Sequence, residues 1–62
     1  MAPALRREVH QATGMIIAQL DATPTEAFSR LRAYAFASGR SVGDVAADVV
    51  HRRLNFAELP DD

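Results

Sequence analysis

Sixty-two residues, 48% hydrophobic and 24% charged, with a formal net charge of −1 and no cysteine, define one small domain with a single core. A core of this size rarely yields more than ~3–5 kcal/mol without disulfides, a metal or a partner subunit, so tight helix packing or oligomerisation must supply its stability. The same arithmetic leaves too little chain to wall an enclosed catalytic pocket and no apolar run of the roughly 18–20 residues that a membrane span needs.

The N-terminal stretch from Met1 to Glu8 turns charged too soon for a signal peptide, and a reducing cytoplasmic location is expected. A first helix is predicted from about Pro3 to Leu20, because Leu5, Val9, Ala12, Ile16 and Leu20 recur at three- and four-residue spacing along one stripe. Proline suits the opening turn. Arg7, His10, Gln11 and Gly14 point away from the stripe, whereas Met15, Ile17 and Ala18 spread apolar surface almost round the second half. That half must be covered on more than one side, by two helices or by one helix and a second subunit.

The chain breaks at Asp21-Ala22-Thr23-Pro24. Thr23 is placed to cap a second helix, with Pro24 in its first position and Glu26 completing a capping box. Ala27, Phe28, Leu31, Tyr34, Ala35 and Ser38 form its predicted buried face, and Gly39 is placed to end it in a left-handed conformation. Ser41 and Asp44 repeat the capping-box pattern and open a third helix with the stripe Val42, Val45, Ala46, Val49, Val50 and Leu54. Valine favours strands, but period-2 alternation is absent. From Asn55 the chain reads as a frayed tail, with a domain over residues 1–56 and an acidic segment over 57–62. The expected fold is therefore all-α, a compact three-helix unit with a long first helix and two short connections.

Chemistry-bearing patterns are sparse. His10 and His51 lie on different helices with no second ligand at metal spacing, so neither a metal site nor a cofactor is predicted. Serines, histidines and aspartates are present, but no strained nucleophile turn or oxyanion loop accompanies them, and the chain is not read as an enzyme. Gly14, Gly39 and Gly43 are too scattered for a phosphate-cradling loop.

The charge distribution is more informative than its sum. All seven basic residues are arginine, and outside residues 57–62 they face five acids, giving a +2 body and a −3 tail. Arg32 and Phe36 stand one turn apart, roughly 100–140° from the buried stripe, where a planar cation and an aromatic ring could stack on unpaired bases. Taken alone, that spacing favours packing of Phe36 on the third helix or at a dimer seam, with Arg32 merely snorkelling. Mid-helix Gly14 costs about 1 kcal/mol relative to alanine and would allow close approach by a ligand. Arg40, just before the Ser41 cap, is placed to meet anions at a helix N-terminus. Arg6, Arg7, Arg30, Arg52 and Arg53 are weaker candidates for phosphate contacts.

The blocks Gln11-Ala12-Thr13-Gly14-Met15-Ile16, Glu26-Ala27-Phe28, Leu31-Arg32, Ala35-Phe36, Arg40-Ser41-Val42, Asp44-Val45-Ala46 and Val49-Val50 follow one another with a family's spacing. From about Val9 to Phe56 the chain resembles the ANTAR domain, a three-helix RNA-binding module of bacterial transcription antiterminators. The strings at His10–Met15 and His51–Phe56 look most like actinobacterial members joined to a GAF sensor. The resemblance implies a homodimer that binds paired RNA hairpin loops in a nascent leader and prevents the terminator hairpin from forming. It also implies polar RNA contacts from Gln11, Thr13, Arg32 and Arg40, close approach at Gly14, and packing beneath by Ala12, Ala27, Leu31 and Ala46. Phe36 joins the RNA-binding set on geometry alone.

Two departures qualify the match. Thr13 stands where many relatives carry lysine, which shifts the electrostatic burden onto the arginines. No sensor segment precedes the first helix, so a freestanding or truncated module is expected, with any signal arriving from a separate sensor or signalling protein and no membrane partner. A DNA-reading third helix would present Asp44 and Asp48 to phosphates, which counts against it. A purely structural dimerisation module would use Met15, Ile17 and Ala18 without needing Arg32, Phe36 and Arg40 together.

Overall fold

A computed structural model describes residues Pro3 to Leu59; the expected place of the Leu5 side chain and of the last three tail residues lies outside what it describes. Three helices follow in order, α1 (Pro3–Leu20), α2 (Pro24–Ser38) and α3 (Val42–Val50), and then a single 3₁₀ turn (Phe56–Glu58). The all-α architecture and both short connections agree with the sequence, and α1, at 18 residues, is the longest element. It packs most extensively on α3, then on α2, as a platform should. No helix among the described residues is long and apolar enough to cross a membrane.

The α2 start is the expected capping box: Glu26 N–H donates to Thr23 Oγ1 and Thr23 N–H donates to Glu26 Oε1, each at 3.1 Å. At α3 only half of that device forms. Asp44 N–H donates to Ser41 Oγ at 3.0 Å, but no return bond to the Asp44 carboxylate is made among the described residues. Aspartate is one methylene shorter than the glutamate or glutamine that the reciprocal bond requires.

All three helices end in the same way, with a left-handed residue and an N–H reaching back five residues. Asp21 (φ 54°), Gly39 (φ 69°) and Arg52 (φ 64°) take the left-handed position. Ala22 donates to Ile17 O, Arg40 to Ala35 O and Arg53 to Asp48 O, closing the three turns. Only one of the three residues is glycine. α3 therefore stops at Val50 rather than running on to Leu54, which reaches the core from the following bend. Left-handed backbone crowds a Cβ, so Arg52→Gly is expected to stabilise the domain by about 1 kcal/mol. Thermal denaturation should show Tm rising by roughly 4–8 °C; an unchanged Tm would mean that the turn carries no strain.

The core contains Ala12 and Ile16 from α1, Ala27, Leu31 and Ala35 from α2, Val45, Ala46 and Val49 from α3, and Phe56. Four of these nine are alanines, so the backbones can approach closely where the helices meet. Phe56 corrects the expectation of fraying from Asn55. It is only 3% exposed, its N–H donates to Gln19 Oε1 at 2.9 Å, and Asn55 caps the turn through Ala57 N–H.

The same turn decides the flanks of α2. Phe28 and Tyr34 each lie about 60° from the centre of the Ala27–Leu31–Ala35 stripe, on opposite sides. Tyr34 is covered by Phe56, edge to face with ring centroids 5.5 Å apart, whereas Phe28 stays 40% exposed. Phe28 is thus not on the buried face as predicted. Ser38 is also exposed, its hydroxyl donating to Tyr34 O at 2.7 Å.

Candidate nucleic-acid interface

The α1 motif does not form one cluster. Ala12 faces the core, so Gln11 and Thr13 leave on opposite flanks, about 160° apart, while Gly14 shares the Gln11 side. Gln11 and Gly14 are exposed, and a Cβ added at Gly14 would meet no atom within 4 Å. The surface there is smooth and open. Thr13 is half-buried, and its hydroxyl donates to Val9 O at 2.7 Å. Its lone pairs remain available to accept, but its proton is already engaged.

The α2 residues do come together. Arg32, Phe36 and Arg40 line one shallow groove of about 610 Å³, with Ser29, Ala33 and Ala35 from α2 and Ser41 and Val42 from the start of α3. No described α1 residue contributes to it. Phe36 is 90% exposed, so packing on α3 does not account for it. The expected pairing of Arg32 with Phe36 is corrected in one respect: the Arg32 guanidinium lies over the Phe28 ring, 5.8 Å from its centroid. Phe28, Arg32 and Phe36 therefore make a ring–cation–ring stripe at i, i+4 and i+8. The sequence carries the same i, i+4 spacing on both sides of Arg32, but the helical stripe groups Phe28 with the buried face.

Arg40 is also engaged more closely than an open anion site requires. Its Nη1 meets Asp48 Oδ2 at 2.8 Å and its Nη2 donates to Asp44 O at 3.4 Å; the side chain is 38% exposed, and its other N–H groups make no hydrogen bond among the described residues. Arg53 Nε donates to Asp48 Oδ1 at 2.9 Å. The expectation that Asp48 would meet phosphate as a bare acid does not hold, because two arginines cover its carboxylate. This trio was not legible beforehand: its members are eight and five residues apart, across a turn at each end of α3.

The Arg40 hydrogen bond, and then that of Arg53, holds the Asp48 carboxyl below its ordinary value of 3.8. A carboxylate depressed in the folded state adds stability that is fully present above 3.8 and is lost as pH falls through the lower folded value. Asp48→Asn should thus lower Tm near neutral pH and converge with the parent chain in acid. A constant Tm gap across that range would disprove the linkage.

The family model for the ANTAR domain matches residues 1–50. The chain belongs to the ANTAR family. ANTAR domains are generally RNA-binding antiterminators, regulatory rather than catalytic. No curated protein and no solved structure matches this ANTAR domain. The family match ends at Val50, so Arg52, Arg53 and the Phe56 turn lie beyond it.

Proposed function

We propose that this ANTAR domain recognises the unpaired loops of RNA hairpins, acting as a homodimer on two hairpins in the leader of a nascent transcript and so preventing the terminator from forming. The observation that carries this reading is Phe36, a large aromatic ring 90% exposed in a groove shared with Arg32 and Arg40. A splayed base can stack on the ring while the guanidinium groups neutralise the phosphates beside it. Outside this groove, Gln11 supplies amide contacts and Gly14 lets RNA approach the backbone on one flank of α1, and Thr13, on the opposite flank, accepts from a ribose hydroxyl of a different RNA segment. At a concentration 100-fold above Kd, each bound hairpin gains ~2.7 kcal/mol over the competing terminator fold, and a dimer on two hairpins doubles this. The activity is placed in a bacterial cytoplasm, with dimerisation governed by a separate sensor or signalling protein.

Fluorescence anisotropy with a two-hairpin leader RNA and the matching duplex DNA, each over a salt series, tests the reading. Phe36→Ala should weaken RNA binding by ~1–3 kcal/mol, the usual worth of one base stack, and Arg32→Ala should also lower the salt slope. Gly14→Ala separates stability from function. It should stabilise the free domain by about 1 kcal/mol while weakening RNA binding. Equal affinity for RNA and duplex DNA, or full RNA affinity in both α2 variants, refutes loop recognition.

A further inference from the structure

The Asp48 carboxylate joins two recesses. Arg40, on Oδ2, belongs to the α2 groove with Arg32 and Phe36, whereas Arg53, on Oδ1, belongs to a cleft of about 210 Å³ with Arg52, Gln19 and Asn55. We infer that the two recesses form one track for a single RNA strand, with the hairpin loop at Phe36 and an unpaired flank crossing the Arg40–Asp48–Arg53 bridge to Arg52. This rests on the RNA-binding reading and extends it to residues beyond the family match.

Charge and geometry both favour that occupant. Arg32, Arg40, Arg52 and Arg53 outnumber the acids along the track, Asp44, Asp48 and Glu58, so the surface is net positive by one charge. Asp48 acts as a positioning residue. It fixes two guanidinium groups side by side, so that less side-chain freedom is lost when their remaining N–H groups meet phosphate. In the cleft, Asn55 Oδ1 accepts from Ala57 N–H and Gln19 Oε1 from Phe56 N–H, which leaves both amide NH₂ groups as donors. Arg52 is kept in left-handed backbone where glycine would fit without strain. α3, which the track follows, is about 13 Å long, or roughly four stacked nucleotides.

The test compares a bare hairpin with the same hairpin carrying a four-nucleotide unpaired extension, binding each to the full chain and to an Arg52→Gly, Arg53→Gln double variant. The extension should tighten binding to the parent chain at least fivefold and steepen its salt slope. In the double variant both gains should disappear, the slope falling by about 1.4 for two lost single-strand phosphate contacts, with bare-hairpin affinity unchanged. Arg52→Gly alone, which retains every Asp48 contact, should lose part of the gain. An extension that adds nothing, or whose gain survives in the double variant, overturns the track while Arg32-dependent binding of the bare hairpin still stands. Failure of the bare hairpin to bind overturns the loop reading and the track together.

Discussion

Phe56→Ala is expected to leave the chain largely unfolded at room temperature. Truncating a buried phenylalanine costs ~3–5 kcal/mol, which equals the whole stability that a core of this size usually supplies. Phe56 is 3% exposed, stacks edge to face on Tyr34 and is held by the Gln19 side chain from the far end of α1. Removing the ring therefore opens the α2 flank as well as the core. Far-UV circular dichroism with a urea titration measures this directly. A cooperative transition within 1 kcal/mol of the parent, a midpoint shift of no more than about 1 M urea at an m-value of ~1 kcal/mol/M, would show that the last turn is dispensable. The same residue carries a practical consequence for the family match, which stops at Val50: a fragment cut at that boundary lacks part of its own core.

The second large effect contrasts two residues of α2. Leu31→Ala should destabilise the domain by ~2–5 kcal/mol, because a fully buried side chain leaves a cavity between helices. Phe36→Ala, five positions later, removes a larger side chain and should change stability by no more than about 0.5 kcal/mol, since the ring is 90% exposed. Chemical denaturation of the two variants side by side separates core from interface. Substantial destabilisation by Phe36→Ala would mean that the ring is packed in solution, against a second copy or otherwise, and would remove the main support for base stacking.

Much of the architecture was legible from local signals. Thr23, Pro24 and Glu26 mark the start of α2, Ser41 that of α3, and Gly39 the end of α2, each through a bond made within a few residues. The end of α3 was not legible because Arg52 occupies a conformation for which arginine is no signal. Phe56 was missed for a different reason: a lone aromatic in an acidic stretch has no periodicity, and its partner Gln19 is 37 residues away. In the candidate site, the grouping of Arg32, Phe36 and Arg40 followed from helical spacing and a short connection. The pairing of Arg32 with Phe28 did not, because it depends on which flank of α2 the C-terminal turn covers. The Asp48 clamp, crossing a chain turn at each end, also needed three-dimensional placement to be seen.

The small residues at the helix crossings have a bearing on how this protein tolerates change. Ala12, Ala27, Ala35 and Ala46 have almost no side chain to lose, yet each is buried to within 2%. Shortening them creates almost no void, whereas lengthening any of them wedges two backbones apart, at a typical cost of 1–3 kcal/mol, roughly the margin of so small a fold. Nearly half of the core is thus vulnerable to added volume alone. Alanine scanning, the usual survey of such a domain, would pass over these four positions in silence and report a more forgiving interior than evolution has had to work with.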